Sequence, residues 1–276
     1  MKKHVSCHKS FQPAMWLSSL CIMGCLGGSC SRQIASPSAT LFADEFNTAS
    51  SLPDTSVWKL CTPGSSAWCQ HFEHVKGFET VRIEDGYLKL TATREDGHYK
   101  NAGIRTRTTF PLHTRLEVRA RLTQKARGGF PAIWQMPTKG PWPVTGEIDL
   151  MEWVQGTPNK IYQTIHYDPQ GVGKDVAQHD APVADVTEWH VYAVDRTDEA
   201  LIFYLDGKET WRYTNPRSDN PLDYPFNQHD YDIILNFSLG GKLKNGRLTW
   251  PGLIHDEDLP AEMWIDWVRV TPLPRN

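Results

Sequence analysis

From Leu41 onward apolar and polar residues alternate with a period of two, the pattern of strands that bury one face. Leu88, Leu90 and Ala92 interleave with Lys89, Thr91 and Thr93 after an Asp85-Gly86 turn, and Leu116, Val118, Ala120 and Leu122 interleave with Glu117, Arg119 and Arg121. Phe203 and Leu205 run into Asp206-Gly207, a strong hairpin signal, and a further strand follows over residues 211–213. Ile233, Leu235, Phe237 and Leu239 alternate with Ile234, Asn236 and Ser238. Near the end Trp264, Asp266 and Val268 alternate with Ile265, Trp267 and Arg269. No window of twelve or more residues sustains a helical period. Nineteen prolines and twenty glycines are spread along the chain, where they punctuate turns. Many short strands with regular turns predict an all-β sandwich or barrel, and no linker or repeat divides residues 41–276.

The first thirty residues break this pattern. Lys2, Lys3 and Lys9 precede an apolar stretch from Met15 to about Leu26, followed by Gly27, Gly28 and Ser29. A basic region, a short hydrophobic region and small residues make a secretory signal. Cys30, placed after the small residues and before Ser31, resembles the acylated cysteine of a bacterial lipoprotein. Residues 1–29 then form the signal peptide, Cys30 carries the lipid with Cys25 as second choice, and residues 30–40 are a polar tether. Plain cleaved secretion is the alternative. The protein is expected to be exported and to meet a membrane only through a lipid anchor, since no apolar run of about 18 residues exists to span one.

Composition then narrows the partners. Eleven Trp, nine Tyr and ten Phe suit pleated, half-buried surfaces and also offer flat platforms for sugar rings. A formal net charge of −3 gives no reason to expect nucleic acid. Of the six cysteines only Cys61 and Cys69 belong to the domain. With Pro63-Gly64-Ser65-Ser66 turning the chain between them, they are expected to close a small disulfide in an oxidising compartment, two free thiols being the alternative.

The segment that carries chemistry is Gly146-Glu147-Ile148-Asp149-Leu150-Met151-Glu152-Trp153. Residues two apart in a strand share a face, so Glu147 and Asp149 point one way and Ile148 the other. Strict alternation sends Glu152 to the wrong side. One inserted residue near Leu150-Met151, a β-bulge, returns it to the face of Glu147 and Asp149. Three acids on one face resist simultaneous ionisation, so one keeps a proton near neutral pH. A retaining glycosidase needs that arrangement, with one carboxylate attacking the anomeric carbon and a protonated one serving the leaving oxygen. A calcium-type acid cluster or a plain polar strand face is the competing explanation.

Residues 129–137 (Gly-Phe-Pro-Ala-Ile-Trp-Gln-Met-Pro), then Trp142-Pro143 and the acid segment, resemble the signature of glycoside hydrolase family 16. Asp44-Glu45-Phe46, Gly103-Ile104-Arg105-Thr106, Thr164-Ile165-His166, Tyr204-Leu205-Asp206-Gly207, Leu235-Asn236 with Gly240-Gly241, and residues 265–270 extend the likeness over nearly all of 41–272. The resemblance implies a jelly-roll β-sandwich of two antiparallel sheets with a concave substrate cleft. It makes Glu147 the nucleophile, Glu152 the acid/base and Asp149 the assisting acid. Trp134 and Trp142 are expected to face the sugar, His166 to sit beside the acids, and Arg105 and Asn236 to bind sugar hydroxyls. Trp153, next to the acid/base, is expected in the core. Glu45, Gly86 and Asp266 resemble positions that hold a structural calcium in some relatives, and equally suit ordinary turn and surface positions. No metal or required cofactor is assigned.

The expected activity is retaining endo-hydrolysis of β-1,3 or β-1,4 bonds in a glucan- or galactan-type polysaccharide by a monomer. The alternatives are an endo-β-galactosidase acting on mucin-type O-glycans, a transglycosylase, and a carbohydrate-binding protein without catalysis. Ala67-Trp68-Cys69-Gln70-His71-Phe72 stands where laminarinases usually carry an Asn-Glu pair, so β-1,3-glucan is not singled out.

Overall fold

The computed structural model describes residues 40–72 and 79–275. The signal peptide, the lipidation of Cys30 or Cys25, and all of the tether except Thr40 lie outside the described residues. Among the described residues there are sixteen strands and no α-helix. They are β1 (Phe42–Asp44), β2 (Trp58–Leu60), β3 (Val81–Glu84), β4 (Tyr87–Glu95), β5 (His98–Lys100), β6 (Ala102–Thr106), β7 (Thr114–Leu122) and β8 (Gly129–Pro137). The rest are β9 (Glu147–Glu152), β10 (Tyr162–Tyr167), β11 (Val176–Asp180), β12 (His190–Arg196), β13 (Ala200–Leu205), β14 (Lys208–Thr214), β15 (Tyr231–Leu239) and β16 (Ala261–Pro272).

The strands form two antiparallel sheets, the expected jelly-roll sandwich. One runs β14-β13-β12-β7-β16-β4-β3, with β1 on β16 and β5 on β4; the other runs β11-β10-β9-β8-β15-β6-β2. Period-two patterning sets the core between them. Leu88, Leu90 and Ala92 of β4 and Leu116, Val118, Ala120 and Leu122 of β7 are buried against Ile104, Ile133, Ile148, Ile165, Ile233, Leu235 and Phe237 of the facing sheet. Each large aliphatic side chain so enclosed contributes about 1.5–3 kcal/mol. Asp85-Gly86 and Asp206-Gly207 turn as expected, each with two positive φ angles (56° and 78°; 52° and 75°), and Asp96-Gly97 makes the same turn between β4 and β5.

Three features depart from the expected pattern. In β16, Ile265 pairs with Ala120 and Trp267 with Arg119, so Asp266 is an extra residue and the inward face shifts phase there. Ile265 and Val268 are therefore both in the core, against strict alternation. In β15 every residue is buried, because the aromatic walls of the cleft cover its outer face. Finally, Cys61 and Cys69 are free thiols and not the expected disulfide. The 63–69 loop closes through its own hydrogen bonds, with Gly64 N and Cys69 N donating to Cys69 O and Ser66 O at 3.2 Å each. Cys69 Sγ sits 3.0 Å from Ser66 Oγ, while Cys61 is pinned to the sheet edge through Gly103 O at 2.8 Å. Burial pushes the Cys61 thiol up to about 12.

Part of the aromatic content serves the outer face of the first sheet. Tyr87 stacks on Trp264 at 5.6 Å, and Arg119 lies over Trp189 at 4.6 Å. Those rings hold the strands together across the face opposite the cleft.

Candidate active site

The acid strand β9 lies in the middle of the second sheet, and the expected bulge is formed. On one side Trp134 pairs with Asp149 and Ile133 with Met151. On the other, Thr164 pairs with Asp149 and Tyr162 with Glu152, two steps against three. Leu150 and Met151 are both buried in the core. Two successive side chains thus turn inward, and Glu152 rejoins Glu147 and Asp149 on the outer face. Trp153 is fully buried, as expected.

The seat of Glu147 is built from the residue before it. Gly146 has φ +84°, and a Cβ there would lie 2.6 Å from Tyr231 Oη and 2.9 Å from the Phe226 ring. Only glycine fits that backbone in that space. Tyr231 Oη donates to Thr145 O at 2.8 Å, fixing the approach to the strand. Beneath it the buried Arg196 guanidinium donates to Phe226 O and His229 O at 3.0 Å and to Phe110 O at 2.7 Å. It also lies 4.6 Å from the centre of the Tyr231 ring.

Each carboxylate has a distinct set of partners. Glu147 Oε2 accepts from Trp142 Nε1 at 3.0 Å. Glu152 Oε2 accepts from Thr164 Oγ1 at 2.6 Å. Asp149 Oδ2 is buried without a hydrogen-bond partner. His166 Nε2 lies 3.5 Å from Asp149 Oδ2 and 3.8 Å from Glu147 Oε1, and Asp175 Oδ2 holds its Nδ1 at 2.8 Å. Glu147, Asp149 and His166 bring one donor atom each within 4.8 Å of one another, a spacing that suits shared protons and also a divalent cation.

Burial is the first cause of the electrostatics. It raises the Glu147 carboxyl to about 7, with Glu152 adding to the rise while His166 and the Trp142 N–H oppose it. Asp149 is raised well above the usual carboxylate range by burial and by the charges of Glu147 and Glu152. Glu152 is raised by burial too, against the Thr164 hydrogen bond and His166. The three titrate as a group, with Asp149 the acid held most firmly in its neutral form. A Thr164→Val variant loses the bond that favours ionised Glu152. The alkaline limb of its pH–rate profile is expected to move to higher pH with the fold intact; a shift downward would mean that the hydroxyl favours the protonated acid.

Above the acids a cleft of about 530 Å³ is lined by Trp68, Phe130, Trp134, Trp142, Trp250 and His166. Trp134 is almost wholly buried and meets Trp68 edge-on at 5.1 Å, whereas Trp142 stands half exposed. The structure thus brings Trp134, Trp142 and His166 to the acids as expected. Asn236 stands on the cleft floor as well. Its Oδ1 accepts from Trp134 Nε1 at 2.7 Å, and its Nδ2 donates to Phe130 O at 3.2 Å and Ser238 Oγ at 2.8 Å. Asn236 thus lines the cleft and orients Trp134.

Arg105 has a carboxylate partner. Its Nε donates to Asp232 Oδ2 at 2.6 Å, and Asp232 is fully buried, its carboxyl raised to about 6 by burial even with the guanidinium beside it. Arg105 compensates that acid and does not line the cleft. Glu45 and Asp266 pair with Arg269 and Arg119 respectively. Sequence reasoning gave no role to Thr164, Asp175, Phe130 or Trp250. Trp250 had one usable signal, a lone tryptophan in the turn Thr249-Trp250-Pro251-Gly252.

Comparison with known proteins places this geometry. The family model "Glycosyl hydrolases family 16" matches residues 69–252. A β-glucanase of Rhodothermus marinus is 31% identical over 252 residues, covering 83% of this chain and 84% of its own length. A keratan-sulfate endo-1,4-β-galactosidase of Sphingobacterium multivorum is 29% identical over 244 residues, covering 85% of this chain. The chain spans 55% of that relative's length. A solved structure from work on endo-acting O-glycanases, expressed by prominent members of the human gut microbiota to initiate mucin breakdown, is 56% identical with a TM-score of 0.81. That likeness covers 85% of this chain and 100% of the other.

Proposed function

This chain belongs to glycosyl hydrolases family 16, and from that premise we propose a retaining endo-β-galactosidase acting inside the galactose-containing chains of mucin-type O-glycans. The observation that carries the chemistry is the bulge in β9, which sets Glu152 on the face of Glu147 with Asp149 between them. In the first half-reaction a Glu147 carboxylate oxygen bonds to the anomeric carbon as the glycosidic C–O bond breaks. Glu152 gives its proton to the departing oxygen. In the second, Glu152 takes a proton from water, whose oxygen displaces Glu147 and restores the original configuration. Protonated Asp149 limits the charge that Glu147 must share the site with, and the Trp142 N–H steadies the attacking carboxylate.

A concave cleft of about 530 Å³ over the acids suits binding of a run of sugars. The galactoside reading is supported by the 56% identity to the O-glycanase structure, against 31% to the β-glucanase. The departure of residues 67–72 from the laminarinase pattern points the same way. Endo-hydrolysis of a β-glucan is the second reading, and the β-glucanase relative favours it. Digestion of poly-N-acetyllactosamine, mucin O-glycans, agarose, laminarin and mixed-linkage glucan, read by mass spectrometry, separates the two. Oligosaccharides are expected from the first two substrates. Products from laminarin alone would overturn the galactoside reading, and binding without any cleavage would leave a lectin.

A further inference from the structure

After Leu239 the chain leaves β15 through Gly240-Gly241, makes a small hairpin over 242–248, and returns to the cleft wall at Trp250. Its root is rigid. Gly241 N donates to Gly252 O at 2.8 Å and Thr249 N to Gly241 O at 2.9 Å. Gln70, two residues from the cleft-lining Trp68, donates its Nε2 to Gly240 O at 2.6 Å. The finger is also closed on itself. Lys242 bridges to Leu248, Leu243 N donates to Arg247 O at 2.9 Å, and Gly246 N to Leu243 O at 2.8 Å with Gly246 at φ +82°. Such a segment holds its backbone in a fixed form, two residues from the cleft-lining Trp250, with little ordering left to do on binding.

What it presents is positive charge. Lys242, Lys244 and Arg247 are all exposed, and among the described residues none of the three has an ion pair, whereas Arg82, Arg115, Arg119, Arg127 and Arg269 each hold a carboxylate. The cleft floor is the opposite: Glu147, Asp149 and Glu152, with Asp175 behind His166. An anionic group is repelled from the floor and drawn to the finger. A glycan satisfies both when its reacting sugar is neutral and a neighbouring sugar is charged.

We propose that residues 242–248 are an anion-recognition finger, which directs the cleft toward glycans bearing a sulfate ester or a sugar carboxylate on the unit packed against Trp250. The inference rests on the glycan-cleaving reading above and names the substrate class within it. The test compares the protein with its Lys242→Ser/Lys244→Ser/Arg247→Ser variant on three matched oligosaccharides: neutral, sulfated and sialylated. The variant is expected to lose about tenfold in kcat/KM on the charged substrates and to change little on the neutral one. The preference of the parent protein for charged substrates is expected to shrink as salt rises. Whether the sulfated, the sialylated or both arms respond identifies the anion.

Equal losses on neutral and charged substrates, or no loss on any, would overturn the proposal. Calorimetry of the sulfated oligosaccharide with Glu147→Gln protein, with and without the three finger cations, decides it independently of turnover. Weaker binding without the cations supports the finger even where none of the three substrates is cut, and in that case the cleavage reading fails instead. Unchanged binding removes the finger from substrate recognition.

Discussion

Replacement of Glu152 by alanine is expected to slow hydrolysis of an unactivated glycan by two to four orders of magnitude, roughly the value of general acid–base catalysis. On an activated aryl glycoside the variant is expected to accelerate with azide. In the proposed mechanism Glu152 serves each half-reaction, first as the proton source for the departing oxygen and then as the base for water. An aryl glycoside with an acidic phenol needs little help to leave, so the glycosyl–Glu147 ester still forms. Azide then attacks that ester without a base. Its product carries the configuration of the substrate, because two displacements have occurred at the anomeric carbon. Proton NMR of the glycosyl azide reads this directly. An inverted azide, or rescue confined to a Glu147→Ala protein, would exchange the two roles.

The Glu147→Gln protein is expected to be the more severely impaired, losing about ten-thousandfold or more, since no attacking oxygen remains. It is also expected to be the more stable fold at alkaline pH. The Glu147 carboxyl is raised from an ordinary 4.5 to about 7. Between those values the folded protein keeps a proton that the unfolded chain has released. The proton's contribution to stability is therefore complete below about 4.5 and is lost as pH rises through about 7. Glutamine has no proton to lose, so the advantage of the variant should grow across this window and level off above it. Its size is on the order of 2 to 3 kcal/mol. Thermal unfolding of both proteins at pH 4.5 and pH 8 measures it. A difference that narrows with rising pH would mean that the folded site favours the ionised carboxylate, and the burial argument would be wrong.

Much of this was legible before any coordinates. Leu88, Leu90 and Ala92, or Leu116 through Leu122, declare their faces because one side of each strand meets water or charge and the other meets core. The bulge was legible because chemistry demanded it: Glu152 is useless on the face that alternation assigns it. What stayed hidden depends on partners far along the chain. Nothing near Asn236 in the chain announces its bond from Trp134, and nothing near Arg105 announces the buried Asp232 beneath its guanidinium. Two cysteines eight positions apart suggest a bridge, yet backbone hydrogen bonds already close their loop. The phase change at Asp266 has no chemical reason to announce it, so periodicity alone misreads the end of β16.

The extra residue at Leu150-Met151 also determines which kinds of genetic change the enzyme survives. Exchanging a side chain in the walls alters taste for substrate, and lengthening the 242–248 hairpin adds reach. Removing a single codon from β9 does neither: it turns the proton donor toward the oily interior and swings Trp153 out into water. The count of residues between the two glutamates thus decides on which side of the sheet Glu152 stands.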